Sequence, residues 1–207
     1  MKKTSVIQYS APLIPFLAVF FGIYVLHNIW IAAISYHLAV GVLLWADRGW
    51  WKKKSLNVGD RRLLILSNAL IGAFTGVLLY VLWPVLGISS DFGARLSHMG
   101  LTSWLTFGIY YCGVNPISEE LFWCRYLETP SPYPAWNDLM FAGYHMLVLA
   151  LFIRWQWLPL AFALLVCAAW LWRHSAGHRN GTLLVTSSHF LADLGIVLVA
   201  CLYSAKG

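Results

Sequence analysis

The sequence predicts an all-α membrane protein: a polytopic bundle of about seven transmembrane helices, folded as a single domain over residues 1–207. Composition is the first observation, because 60% of the 207 residues are hydrophobic and only 11% are charged. The second is a mean hydropathy of +0.68, which lies far from the values of soluble domains. The third is the alternation of short polar loops with apolar runs, most of them long enough to cross a hydrocarbon core about 30 Å thick.

The predicted spans follow one another along the chain. In order, we expect them to cover residues 6–26, 29–45, 63–83, 102–125, 138–153, 157–172 and 182–203. The first run is long and no small-residue cleavage site follows it, so we expect a retained helix and not a secretory signal. His27 and Asn28 form a tight turn before the second span. The third span carries Gly72 and Gly76 at GxxxG spacing, which allows another helix to approach closely.

The fourth span contains an Asn115-Pro116 pair. Asparagine followed by proline is typical of a helix cap and the first helical position, so we expect the helix to break and restart there. The new helix N-terminus would then lie within a turn of Glu119. Its dipole would favour a charged carboxylate at that position.

The distribution of Lys and Arg predicts the orientation of the chain. With the N-terminus in the cytoplasm, eleven of the fourteen Lys and Arg residues lie on the cytoplasmic side, in agreement with the positive-inside rule. The three on the other side are Arg95, Arg154 and Lys206. The basic segment WWKKK is too short to form a folded basic surface. We therefore expect contact with anionic lipid headgroups and no nucleic-acid partner.

Ionisable residues within the spans are costly at membrane depth and usually face a protein interior or a wet cavity. The candidates for a functional site are Glu119, Glu120, His145, His189 and Asp193. His145 and His189 each lie seven residues beyond the predicted cytoplasmic start of their span, and Glu119 lies six residues before Arg125. At 1.5 Å per residue, all three are about 9–10 Å deep. Three helices therefore bring a carboxylate and two imidazoles to one level, and a charged carboxylate there can act as a general base toward water.

These residues fall into three short motifs. They are Glu119-Glu120 followed by Leu-Phe-Trp, then Phe141-Ala-Gly-Tyr-His145, and then His189-Phe-Leu-Ala-Asp193. In this order they resemble the EExxxR, FxxxH and HxxxN or HxxxD elements of the CAAX protease and bacteriocin-processing family of intramembrane glutamic endopeptidases. The likeness covers residues 115–193, within the predicted spans of residues 102–203, whereas residues 1–100 carry no motif.

The resemblance implies a metal-independent peptidase that cuts a membrane-associated protein or peptide near the cytoplasmic face. It implies that Glu119 activates the attacking water, that His145 lies close to Glu119, and that Glu120 supports the carboxylate site. Acyl transfer needs such a base together with donors aimed where negative charge develops. We expect an active-site cavity that opens toward the cytoplasmic side.

His189 and Asp193 would stabilise the oxyanion of the tetrahedral intermediate, and Phe141 would pack beside the pocket. This also follows from the resemblance. Family members with Asn at the last position have an amide donor, whereas Asp193 donates a hydrogen bond only when it is protonated. The alternative is that Asp193 orients His189.

The arginine of the first family element has no direct counterpart. It would fall one helical turn after Glu120, where this chain has Cys124, and Arg125 comes one residue late. A single π-bulge absorbs one extra residue and would rotate Arg125 back toward the carboxylates. The alternative is that Arg125 anchors the cytoplasmic membrane interface.

Two other functional classes stay open. Two histidines and a glutamate could form a three-ligand zinc site with an open position, which would make the protein a zinc-dependent membrane peptidase. The other class is a non-catalytic membrane protein of the same fold, acting in binding or self-immunity. Otherwise we expect no cofactor, and a multi-pass location in the plasma membrane of a prokaryotic cell. We expect His27, His37 and His98 to be structural or interfacial, and neither the substrate nor the oligomeric state follows from the sequence.

Overall fold

The chain folds into helices. Its computed structural model describes residues 9–47, 61–87, 100–127, 129–177 and 181–204. Within these ranges there are seven helices: α1 (Leu13–Val19, continued by a π-helical turn Phe20–Val25), α2 (Ile29–Ala46), α3 (Arg61–Leu86), α4 (Leu101–Glu119, continued by a π-helical turn Glu120–Tyr126), α5 (Trp136–Leu149), α6 (Leu158–Ala176, preceded by a 3-10 turn Trp155–Trp157) and α7 (Gly181–Ser204). The all-α prediction is confirmed, and each predicted span corresponds to one helix.

Four helices of the described ranges are long and apolar enough to cross a membrane by themselves. They cover Ile29–Ala46, Leu66–Leu86, Trp155–Ala176 and Gly181–Tyr203. The apolar helix Leu13–Val25 is shorter, and the 14 residues of α5 extend only about 21 Å. The membrane class of the protein follows from these four helices, whereas seven spans stay a prediction.

Much of the charge pattern lies outside the described residues. This applies to Lys2, Lys3, Arg48, Lys52, Lys53, Lys54, Arg95, Arg179 and Lys206, and also to His98. The orientation of the chain therefore stays a prediction from the sequence.

The connection between α1 and α2 is the predicted tight turn. His27 adopts a positive φ of 51°, which reverses the chain. Asn28 then caps α2, because its side-chain oxygen accepts hydrogen bonds from the backbone N–H groups of Trp30 at 2.9 Å and Ile31 at 3.2 Å. These two bonds satisfy N–H groups that have no partner within the helix.

Helices α3 and α7 pack backbone to backbone at the glycines of α3. A Cβ atom added at Gly76 would lie 2.8 Å from the Cα atom of Gly195, and one added at Gly72 would lie 2.7 Å from the carbonyl oxygen of Ser188. Distances below 3 Å leave no room for a side chain on either glycine. The predicted close approach at the GxxxG pair is thus present, with α7 as the partner helix.

We expect Gly76→Val to destabilise the folded protein by about 1–3 kcal/mol, because the added methyl groups push α3 away from α7. Gly41→Val is the matched control, since a Cβ atom at Gly41 meets no atom within 4 Å. The free energy of unfolding in bicelles measures both variants. Equal values for the two variants would contradict the packing described above.

Helix α7 lies at the centre of the bundle. It contacts α3, α4 and α6, while α5 packs mainly on α6 and also contacts α1. The π-helical turn after α4 contacts α2, α5, α6 and α7. Residues at the α4 end of this turn and on the facing side of α7 are therefore surrounded by protein.

The expected break at Asn115-Pro116 is wrong. Helix α4 runs without interruption from Leu101 to Glu119, with Pro116 inside it. Proline removes one backbone donor from a helix interior, but the ring of Pro116 is buried and the side chain of Asn115 is engaged in contacts with α7 and α2. Helix α4 therefore provides no N-terminus, and hence no positive end of a helix dipole, beside Glu119.

Candidate active site

Two adjacent carboxylates lie at the junction of α4 and its π-helical turn. Glu119 is the last residue of α4 and Glu120 the first of the turn, and they are 1% and 2% exposed. Burial of a carboxylate away from water is costly unless the group is paired or hydrogen-bonded. The contacts of these two side chains therefore define the site.

His189, from α7, lies between the carboxylates. Its Nδ1 atom is 3.0 Å from Glu120 Oε1, and its Nε2 atom is 3.4 Å from Glu119 Oε2 and 3.7 Å from Asp193 Oδ1. A doubly protonated imidazole carries a donor on each of these two sides. The ring also stacks on Trp172 with centroids 4.3 Å apart and an angle of 20°. Its position is thus fixed by both edges and one face.

Asp193 faces Asn115 as well as His189. The Asn115 amide donates to Asp193 Oδ2 at 3.2 Å, and its oxygen lies 3.3 Å from His37 Nε2. The other nitrogen of His37 lies 2.8 Å from the Tyr110 hydroxyl. Because the Asn115 oxygen can only accept, His37 Nε2 carries the proton and Nδ1 accepts from Tyr110. A polar chain thus runs from α7 through α4 to α2.

Tyr144, from α5, connects Glu119 with His145. Its hydroxyl group donates to Glu119 Oε1 and lies 3.2 Å from His145 Nε2. His145 Nδ1 donates to the carbonyl oxygen of Phe141 at 2.8 Å, which fixes the ring against its own helix. The contact that the structure gives between Glu119 and His145 therefore runs through the tyrosine hydroxyl.

Phe141 separates the two imidazole rings. Its ring centroid is 4.5 Å from that of His145 and 6.3 Å from that of His189. The residue therefore lies beside the cluster.

Some polar atoms of the cluster have no hydrogen-bond partner. Within the described residues, Glu119 Oε2, Glu120 Oε2 and the hydroxyl group of Tyr36 are buried and make no hydrogen bond. The Tyr36 ring lies 6.1 Å from the ring of Tyr144. A water molecule or a polar substrate group at Glu119 would supply a donor that the carboxylate lacks.

A buried ion pair lies on the other side of Glu120. Arg173, from α6, donates through Nε to Asp138 Oδ1 at 2.9 Å and through Nη2 to Asp138 Oδ2 at 2.7 Å, and the side chains are 5% and 2% exposed. The remaining N–H groups of Arg173 donate to the carbonyl oxygens of Thr129, Ser131 and Tyr133 at 2.9–3.0 Å. All five of its N–H donors are therefore used.

The π-helical turn predicted as one alternative for Arg125 is present at Glu120–Tyr126. Arg125 is half-buried near the end of this turn. The arginine that lines a cavity together with Glu120, however, is Arg173. From the sequence, Arg173 is predicted only as one of the eleven basic residues on the cytoplasmic side.

A metal centre is not evident in the part of the chain that the structure describes. There, no group of three or more His, Cys, Asp and Glu side chains has an arrangement that could hold a metal ion. The imidazole of His189 instead occupies the space between the carboxylates. The zinc alternative is left to experiment.

Comparison of the chain with protein-family models, curated proteins and solved structures found no match. The class that the fold defines is a helical membrane protein with a buried cluster of acids and imidazoles. Any assignment to a family of peptidases depends on the three motifs and on the geometry around Glu119.

Proposed function

We propose that the protein is an intramembrane endopeptidase, similar to the CAAX protease family, that hydrolyses a peptide bond with a water molecule activated by Glu119. The single observation that carries this proposal is the buried contact of Glu119 with His189 and Tyr144. Three helices, α4, α7 and α5, supply these side chains. Packing alone gives no reason for two adjacent acids at this depth.

The two oxygens of Glu119 have different surroundings, and Oε2 lies 3.4 Å from His189 Nε2. Tyr144 donates to Oε1, while Oε2 makes no hydrogen bond among the described residues. A water molecule at Oε2 would give its proton to Glu119 as its oxygen attacks the carbonyl carbon of the substrate. The protonated Glu119 would then pass that proton to the leaving nitrogen as the C–N bond breaks.

His189 is placed to stabilise the negative charge that develops on the carbonyl oxygen. Glu120 holds Nδ1, so the N–H at Nε2 points to the side of Glu119 and Asp193, where the reaction would take place. A donor that is fixed before the reaction stabilises an oxyanion without reorganisation. Asp193, which accepts from Asn115, would orient this imidazole.

The proposal includes the finer features predicted from the sequence. The seven helices would span the membrane, with the N-terminus in the cytoplasm and the site opening toward the cytoplasmic side. The substrate would be a membrane-associated protein or peptide in a prokaryotic plasma membrane. The aliphatic and aromatic surface of the four long helices supports a bilayer location.

The test replaces Glu119 with glutamine, which keeps the shape of the side chain and removes the base. We expect particular cleaved termini of membrane and secreted proteins to disappear in native cells that carry Glu119→Gln at wild-type folded abundance. Mass spectrometry of protein termini measures this, with the wild type and the variants overproduced to the same folded abundance. Asp47→Asn, an exposed acid-to-amide change, is the matched control. Identical profiles in wild type and Glu119→Gln would contradict the peptidase proposal and favour a binding function.

Chelation separates the metal-independent mechanism from the zinc alternative. Once a substrate is known, cleavage by purified protein is expected to persist after dialysis against a strong chelator. Loss of cleavage that zinc restores would instead show a metallopeptidase.

A further inference from the structure

A small cavity lies between the π-helical turn after α4, α5 and α6. Its walls include Glu120, Asn137, Asp138, Ala169 and Arg173. The space open to the centre of a water molecule is about 10 Å³. A cavity needs about 10–15 Å³ by this measure to hold a single water molecule. The size therefore fits one water molecule and nothing larger.

Two side chains of the wall have a buried acceptor without a donor. Glu120 Oε1 accepts from His189, and Asn137 Nδ2 donates to the carbonyl oxygen of Trp123 at 3.3 Å. Their other oxygens, Glu120 Oε2 and Asn137 Oδ1, make no hydrogen bond with any described residue. Both residues are at most 3% exposed. Leaving such buried acceptors unpaired destabilises the folded protein.

The other polar groups of the wall do not supply the missing donors: the Trp172 Nε1–H donates to Ser188 Oγ, and the buried Trp123 Nε1–H bonds neither oxygen. The five N–H groups of Arg173 are all used by Asp138 and by loop carbonyl oxygens. Asp138 offers only oxygens, and these already accept from Arg173 and from the backbone N–H of Ala135 at 2.7 Å. Two acceptors facing one small space require a molecule with two donors.

We propose that this cavity holds one ordered water molecule, which donates one hydrogen bond to Glu120 Oε2 and one to Asn137 Oδ1. A water molecule has two O–H groups, so it satisfies both acceptors at once. A calcium or magnesium ion needs about six oxygen ligands and more space. This water is distinct from the one that Glu119 would activate, and the inference does not depend on the proposed peptidase function.

The water has a defined task in the site. It holds the second oxygen of Glu120, so that the first oxygen stays on His189 Nδ1. It also joins Glu120 to α5 through Asn137, one residue before the Asp138–Arg173 ion pair. The carboxylate is thus fixed from both sides.

The test is an isosteric pair of substitutions at Ala169, which lies in the cavity wall and takes no part in the acid cluster. Ala169→Val and Ala169→Thr add the same volume, expel the water and crowd the cavity equally. Only threonine brings a hydroxyl donor to the two acceptors. We expect the folded form of the threonine variant to be favoured about tenfold over that of the valine variant. The unfolding equilibrium constant in bicelles, measured by steric trapping, gives this ratio.

Ala163, exposed on α6, is the matched control position, where the valine variant should be at least as stable as the threonine variant. If Glu120 Oε2 and Asn137 Oδ1 do not face the cavity, the same order holds at Ala169, because an added hydroxyl group would then be buried for no gain. That result would overturn the proposal. If neither Ala169 variant folds, the wild-type structure at about 2 Å resolution decides. Density for one water within hydrogen-bond distance of both oxygens supports the site, and an empty cavity refutes it.

Discussion

Replacing Arg173 with methionine is expected to destabilise the folded protein by about 3–5 kcal/mol, because Asp138 is left as an unpaired buried charge. The pair is bidentate, with N–O distances of 2.9 and 2.7 Å, and both side chains are almost inaccessible. Methionine keeps the length and the apolar stem of the side chain. It removes only the guanidinium group and the hydrogen bonds of its five N–H donors.

A double variant separates the charge from the loop contacts. Adding Asp138→Asn to Arg173→Met removes the unpaired charge, so we expect part of the lost stability to return. The part that stays lost measures the bonds to the carbonyl oxygens of Thr129, Ser131 and Tyr133. The unfolding free energies of the wild type, the two single variants and the double variant are measured in bicelles and complete this double-mutant cycle.

The control for this experiment is Arg154→Met. Arg154 is exposed and precedes the opposite end of α6. Loss of an exposed arginine is expected to change the unfolding free energy by less than about 1 kcal/mol. If Arg173→Met and Arg154→Met destabilise the protein equally, the buried pair does not contribute as described.

Replacing Tyr144 with phenylalanine is expected to lower the rate of the Glu119-dependent cleavage by about 10–100-fold while the protein stays folded. A hydrogen bond to a charged group contributes about 1.5–3 kcal/mol, and 1.36 kcal/mol corresponds to a factor of ten in rate. The substitution removes the donor to Glu119 Oε1 and the link to His145 Nε2. The ring keeps its stacking on Trp123, with centroids 6.0 Å apart and planes within 3°.

This second prediction depends on the proposed function and uses the substrate that the termini comparison identifies. Initial cleavage rates of purified wild type and Tyr144→Phe in the same bicelles provide the measurement. Tyr110→Phe is the matched control, because Tyr110 contacts His37 and not Glu119. A wild-type rate in Tyr144→Phe would show that the hydroxyl group does not position the base, whereas Glu119→Gln would still test the peptidase itself.

The helices were predictable from the sequence because apolar runs of span length are a strong signal. The predicted spans for α2, α3 and α7 begin and end within three residues of the observed helices. The GxxxG pair also gave a correct packing surface, since Gly76 meets Gly195. Local rules failed at Asn115-Pro116, where tertiary contacts of Asn115 keep the helix continuous.

The acids and imidazoles of the site were found because charge within an apolar span is conspicuous. Glu119, Glu120, His189 and Asp193 do lie together, and His145 joins them through Tyr144. Tyr144 itself was missed, because one of the ten tyrosines of an aromatic-rich chain carries no signal in composition or spacing. Its position directly before His145 was the available clue.

Other members of the polar network were misassigned for a physical reason. Arg173 and Asp138 lie at predicted span ends, where basic and acidic residues ordinarily face water. Their burial depends on how the loop of residues 129–135 folds back over α6. That loop has no periodic pattern, so pairing across 35 positions could not be derived from the sequence.

The folded-back loop also decides where the chain tolerates added residues. Loops usually accept insertions because their backbone groups bind water, and tolerance follows from burial and hydrogen bonding. Here the carbonyl oxygens of Thr129, Ser131 and Tyr133 bind Arg173, and that of Pro132 accepts from the Trp170 indole at 3.0 Å. An epitope tag or a fused domain placed in this loop would separate α5 from α6. In length and backbone path, this connection is as constrained as the helices that it joins.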